Sequence, residues 1–258
     1  ATPFAYAEYP PTEAEAAAVR SYWQFTSRLA PGVSRTHHVW PDGCVSVVVI
    51  LGPDAAPIVT TNLPTTRPFS LVMTGPSRTL GVRFHPYASA VAFDAPVRSL
   101  RPDGRASAIR DAACIDTSAA IPAEALPRAV FQEWLHHRLG TTARIDALAR
   151  QVVSVIIERD GASPVGDLAA CVGLGTRQLQ RRFVNAVGLT PKEFSRIRRM
   201  RAALQAALDG ARGWAAIAGS LGFADQPHLV RDLAQLTGLT PREIAGHLSA
   251  IQHIDVVA

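Results

Sequence analysis

Cysteine is scarce and scattered in this chain of 258 residues. Cys44, Cys114 and Cys171 are its three cysteines, with no CxxC pair and no zinc-ligand spacing. An odd, dispersed set excludes a disulfide framework and fits reduced, mostly buried thiols in a cytoplasm. Long apolar runs are also missing. The longest, CVSVVVILG (Cys44–Gly52), is far too short to cross a membrane and is rich in β-branched residues, so it reads as a buried strand. The opening ATPFAYAEYP has neither a basic nor an apolar leader segment, which argues against a secretory signal. No GxSxG elbow and no Gly-rich phosphate loop is present, so neither Ser-His-Asp chemistry nor a P-loop has local support.

Hydrophobic content of 48% is enough for real cores, and the length suits two domains of ordinary size. The net charge of +5 is unevenly placed. Residues 1–140 carry 12 Arg against 11 acidic residues, whereas residues 141–250 carry 13 Arg and Lys192 against 9 acidic residues. The excess positive charge therefore sits in the C-terminal half, which suggests an anionic partner there.

The two halves follow different patterns. Residues 1–140 open with a short predicted helix. Thr12 is its cap, Glu15 stands in capping-box position, and AEAAAVRSYWQF follows. Pro41-Asp42-Gly43 is a turn feeding the Cys44–Leu51 strand. APIVTT, FSLVMTG and TLGVRF read as further short strands, giving a small antiparallel sheet or barrel. From Ile121 the pattern turns helical and closes near Gly140.

Residues 141–250 are helical throughout. Thr142 is expected to start a helix with Ile145, Leu148, Val152, Val155 and Ile156 on its inner face and Gly161 as its stop. Six shorter helices are predicted, near Pro164–Val172, Thr176–Val187, Pro191–Leu208, Trp214–Leu221, Asp225–Leu236 and Pro241–Leu248. Within this half the chain repeats itself. LAACVGLGTRQLQRRFVNAVGLTP (Leu168–Pro191) aligns with IAGSLGFADQPHLVRDLAQLTGLTP (Ile217–Pro241), pairing Leu179 with Leu229, Arg181 with Arg231 and Phe183 with Leu233. A short helix, a Gly-containing turn and a second helix make the outline of a helix-turn-helix, and two in tandem are a specific signal.

Each unit ends in GLTP followed by a basic residue and Glu. Gly188 and Gly238 suit the left-handed residue after a helix, and Thr190 and Thr240 suit the next N-cap. Pro191 and Pro241 fit the first helical position, while Glu193 and Glu243 complete capping boxes. The tetrapeptide is a stop-and-restart signal and says nothing about function by itself.

In a helix-turn-helix the second helix enters the major groove with its first residues on base edges. Arg pairs bidentately with guanine and Gln with adenine. The base-reading candidates are Arg177, Gln180 and Arg181 in the first unit and Gln226, His228 and Arg231 in the second. Arg182 and the linking-helix residues Arg196, Arg198, Arg199 and Arg201 are candidates for phosphate, against the plainer reading of solvated or ion-paired side chains.

At these residues, from Thr142 to Leu248 and including RQLQRRF, RIRRMRAA, LGFADQPHLVR and GLTPRE, the chain resembles the AraC/XylS-type transcription regulators. The resemblance implies two helix-turn-helix units joined by a long helix, here Pro191–Leu208, whose reading helices enter major-groove segments about 34 Å apart. Departures are Gly213 and Gly219, which weaken the helix supporting the second reader, and Pro227, which replaces a small polar residue. The N-terminal half, with YWQF, PDGCVSVVV and GVRFHP, is more loosely similar to the β-rich domains attached to some of these regulators.

The fold class expected is thus α+β in two domains: a β-rich, sensor-like residues 1–140 and an all-α residues 141–250. The implied function is a sequence-specific DNA-binding transcriptional regulator in the cytoplasm, controlled by a small molecule on its N-terminal domain. Expected partners are double-stranded DNA, with a small-molecule effector, RNA polymerase and a second copy of the chain as further candidates. No catalytic residue, metal ligand or cofactor is assigned. Two rivals stand beside this reading. One is a cupin-like metal enzyme or ligand-binding protein with an accessory helical domain, suggested by His37-His38, His85 and His136-His137. Adjacent strand residues point to opposite faces, however, so His37 and His38 cannot share a pocket. The other is a helical module that binds protein.

Overall fold

The computed structural model describes residues 3–52, 56–93, 97, 115, 126–140, 145–210 and 213–248. Among the described residues the β-rich half holds seven strands: β1 (Phe4–Tyr9), β2 (Val19–Arg28), β3 (Ser34–Val39), β4 (Ser46–Leu51), β5 (Ile58–Asn62), β6 (Phe69–Thr74) and β7 (Pro76–Phe84). They form an antiparallel five-stranded sheet in the order β1-β2-β7-β4-β5 and a separate β3–β6 ribbon. A 3-10 helix (Pro86–Ala92) follows, and later α1 (Pro127–Gly140).

The predicted opening helix is corrected. Thr12 and Glu15 do form a cap, with Glu15 Oε2 accepting from the Thr12 amide at 2.9 Å. Only a helical turn results, because Val19 and Tyr22 are fully buried where β2 crosses the sheet. The β-branched and aromatic residues gain more from a half-buried pleated surface than from extending one turn. Tyr22, Val47, Val49, Leu80 and Val82 meet Phe131, Trp134 and Leu135 of α1 in one core. On the ribbon, the His37 ring lies 4.4 Å from that of Phe25, while His38 Nδ1 is 2.9 Å from Ser70 Oγ. Among the described residues no group of His, Cys, Asp or Glu is placed to hold a metal.

The helical half contains α2 (Ala147–Glu158), α3 (Val165–Ala170), α4 (Thr176–Val187), α5 (Pro191–Leu208), α6 (Trp214–Ser220), α7 (Gln226–Thr237) and α8 (Pro241–Leu248). The predicted start at Thr142 lies outside the described residues. The cap of α2 is Asp146, whose Oδ1 accepts from the Leu148 and Ala149 amides at 3.0 Å. The buried face is Ala149, Val152, Val153 and Ile156, rotated slightly from the predicted stripe; Ile145 and Leu148 are half-buried. Cys44 is buried as expected, Cys171 is exposed, and Cys114 is not among the described residues. No described helix is long and apolar enough to cross a membrane.

Both GLTP signals fold as read. Gly188 and Gly238 are left-handed, at φ 84° and 73°. Thr190 Oγ1 accepts from the Glu193 amide at 3.2 Å while Glu193 Oε2 accepts from the Thr190 amide at 2.8 Å. Thr240 and Glu243 repeat this at 3.3 and 2.7 Å. The same turns also touch the β-rich half. A Cβ on Gly188 would lie 2.6 Å from Val97 Cγ1, and one on Gly238 would lie 3.4 Å from Pro68 Cγ. Nearby, Arg201 Nη1 donates to the Pro41 carbonyl at 3.4 Å, and Arg150 lies 5.8 Å over the Tyr87 ring.

Candidate nucleic-acid interface

The second helices of the two units, α4 and α7, have equal length, 12 residues each, and matching cores. In α4 the buried side chains are Leu179, Phe183 and Val187; in α7 they include Leu229, Leu233 and Leu236. Spacing of three and four turns one stripe of each helix inward, against the supporting helices α3 and α6, and the rest outward. Ile217 and Ala218 of α6 are buried, so this helix forms despite Gly213 and Gly219.

In the first unit the outward residues are those the sequence singled out. Arg177, Gln180 and Arg181 are all exposed. Their i, i+3, i+4 spacing places them on one stripe near the start of α4. Gln178 beside them is committed to the turn, with its Oε1 accepting from the Gly175 amide at 3.2 Å.

In the second unit the candidates separate. Arg231 and Gln226 are exposed; they are five residues apart, with Gln226 one turn before Val230 and Pro227 one turn before Arg231. His228 is half-buried and engaged in its own turn. Its Nδ1 accepts from the Ala224 amide at 3.4 Å, its ring sits edge-on to Phe223 at 5.4 Å, and Nε2 is 4.0 Å from Asp232 Oδ2. Asp225 caps α7 by accepting from the His228 amide at 2.6 Å. The residues that share the Arg231 stripe are Pro227, exposed, and Val230, half-buried. Their side chains carry no donor or acceptor, unlike those of Arg231 and Gln226. The signal that marks them is helical spacing back from Arg231.

The five phosphate candidates of the sequence differ in what they touch. Arg182 Nε pairs with Asp146 Oδ2 at 2.6 Å. Arg196 Nη2 reaches Asp232 Oδ1 at 2.8 Å and Gln235 Oε1 at 2.5 Å, tying α5 to α7. Arg199 Nη1 donates to the Gly222 carbonyl at 3.4 Å and its guanidinium lies 5.0 Å over the Phe223 ring. Arg198 and Arg201 are buried along α5. Burial, then the charges of Arg201 and Arg20, push the Arg198 guanidinium down to about 10. Arg182 stays 46% exposed beside its partner, Arg196 and Arg199 tie α5 to the second unit, and Arg198 and Arg201 are shut inside the protein.

Asp146 shows how firmly one of these pairs is built. Burial alone would raise its carboxyl. The Arg182 hydrogen bond, the Ala149 amide, the Arg182 charge and the Leu148 amide outweigh that and hold it below the usual carboxylate range.

The C-terminal half thus holds two helix-turn-helix units with outward basic and amide side chains, joined by one continuous helix. In particular, residues 168–246 match the family described as "Helix-turn-helix domain", and residues 7–104 match one described as "Domain of unknown function (DUF6597)". No curated protein matches the chain. Among solved structures, a probable AraC family transcriptional regulator from Rhodopseudomonas palustris is 27% identical, with 40% of this chain and 98% of that one covered at a TM-score of 0.36. An AraC-type regulator from Chromobacterium violaceum is 24% identical over 40% and 92%, at 0.37. ToxT from Vibrio cholerae is 10% identical over 90% and 99%, at 0.44.

Proposed function

We propose that α4 and α7 enter two successive major-groove segments of one duplex. Arg177, Gln180 and Arg181 read bases in the first, and Arg231 and Gln226 in the second. The observation that carries this is the repetition itself: two equally long, identically terminated second helices, each with an exposed arginine at the same place. His228 acts as a turn residue that sets the start of α7. The chain works as a regulator in the cytoplasm and carries out no chemistry of its own. The β-rich half receives a small-molecule effector or pairs with a second copy, and the DNA-bound protein contacts RNA polymerase. Contacts from Pro41, Pro68 and Val97 to the helical half support a coupling between the two parts.

Selection of bound duplexes from a random pool, with and without cell extract as an effector source, tests the reading. A bipartite site with a salt-dependent affinity is the expected outcome. Recovery of no enriched duplex overturns it.

A further inference from the structure

Superposing the two reading helices by their buried residues sets Leu229 on Leu179 and Leu233 on Phe183. The stripe Arg177-Gln180-Arg181 of α4 then corresponds to Pro227-Val230-Arg231 of α7. One position keeps its arginine. The other two exchange a guanidinium and an amide for apolar groups. Pro227 stands exposed in the first turn, where a proline costs the helix no hydrogen bond. Val230 is only partly covered and is not among the hydrophobic residues packed on the helical core. Neither side chain can donate or accept a hydrogen bond. In the major groove one base feature suits such groups, the C5-methyl of thymine.

We propose that the second unit recognises thymine methyl groups through Pro227 and Val230, beside a hydrogen-bonding contact from Arg231, whereas the first unit reads by hydrogen bonds alone. This rests on the reading that α7 lies in a major groove. The two half-sites then differ in chemistry: the half under α4 presents purine acceptors, and the half under α7 carries thymines next to the base read by Arg231. Polar substitution on the stripe would leave phosphate contacts untouched and remove only the methyl preference.

The test replaces single thymines of a selected duplex by deoxyuridine, which deletes the methyl and keeps every base-pairing and groove hydrogen bond. The half-site under α7 is located first, as the positions whose preference relaxes in Arg231→Ala. There, each critical replacement is expected to weaken the wild-type chain about fourfold, the factor for one buried methyl group. In Pro227→Ser/Val230→Ser, checked for unchanged affinity loss on Arg181-dependent positions, deoxyuridine is expected to cost nothing further. Two results overturn the inference while leaving DNA reading intact: indifference of wild type to deoxyuridine in the α7 half, or an equal deoxyuridine penalty in wild type and variant. Failure to enrich any duplex overturns both this inference and the reading beneath it.

Discussion

The Arg196 guanidinium on α5 and the Asp232 carboxylate on α7 meet at 2.8 Å, with only 8% of the Asp232 side chain exposed. This pair fastens the linking helix to α7. Removing the acid would leave Arg196, itself 23% exposed, facing a buried site without its counter-charge. Breaking such a pair from one side costs more than the pair itself contributes. Because Arg196 reaches water, the cost falls short of a fully buried case. Asp232→Ala is expected to lower stability by about 2 kcal/mol in urea unfolding. The double variant Arg196→Met/Asp232→Leu is expected to recover most of that loss.

Asp146 makes a second junction, from the cap of α2 to Arg182 of α4. Asp146→Ala removes both cap and pair, with an expected cost of about 1–2 kcal/mol. Arg182→Ala removes only a half-exposed partner, and solvent screening limits its cost to about 0.5 kcal/mol. The pH dependence has a definite sign. The folded carboxyl titrates below its unfolded value, so its stabilisation is complete above the ordinary aspartate range and is lost as pH falls through the depressed folded value. Acid titration of stability should therefore be shallower in Asp146→Asn than in wild type below about pH 4.

The capping signals in the sequence predicted elements to the residue. Thr176–Val187 and Pro191–Leu208 are bounded as expected because caps, left-handed glycines and first-turn prolines act within a few residues. The opening segment was misread for the converse reason. Its alanines favour a helix locally, and only the neighbouring strands make β2 the better use of Val19 and Tyr22. The arginines of α5 show the deeper limit. A basic helix announces its charge but not what faces it. The partner of Arg196 lies 36 positions away and that of Arg201 lies 160 away.

The two GLTP turns are alike in sequence but not in surroundings, and alanine separates them. At both glycines a side chain pays for the left-handed backbone, about 1 kcal/mol. At Gly238 the nearest atom would stand at an ordinary 3.4 Å, so little more is expected. At Gly188 the new methyl would press to 2.6 Å from Val97 Cγ1. Gly188→Ala is expected to cost about 2 kcal/mol, with the excess over Gly238→Ala arising from the contact between the two halves. Equal losses in urea unfolding would show that the Val97 contact yields without cost.

The arginines proposed to read DNA should respond differently from those that hold the protein together. Arg181→Ala and Arg231→Ala should each cost about 1–3 kcal/mol on the selected site and relax base preference locally. A uniform loss on all sequences would make them phosphate contacts instead. Arg198→Met and Arg201→Met should leave the log–log salt slope unchanged, because neither side chain is on the surface. A drop of about one unit in that slope for either variant would return it to the DNA backbone. Stability should divide the two. Arg198 is buried on α5 one turn before Arg201, so methionine there should leave the Pro41 contact in place. Arg201 donates to the Pro41 carbonyl, so methionine there should loosen the contact between the halves. Hydrogen exchange around Pro41, faster in Arg201→Met and unaltered in Arg198→Met, is the measurement that decides.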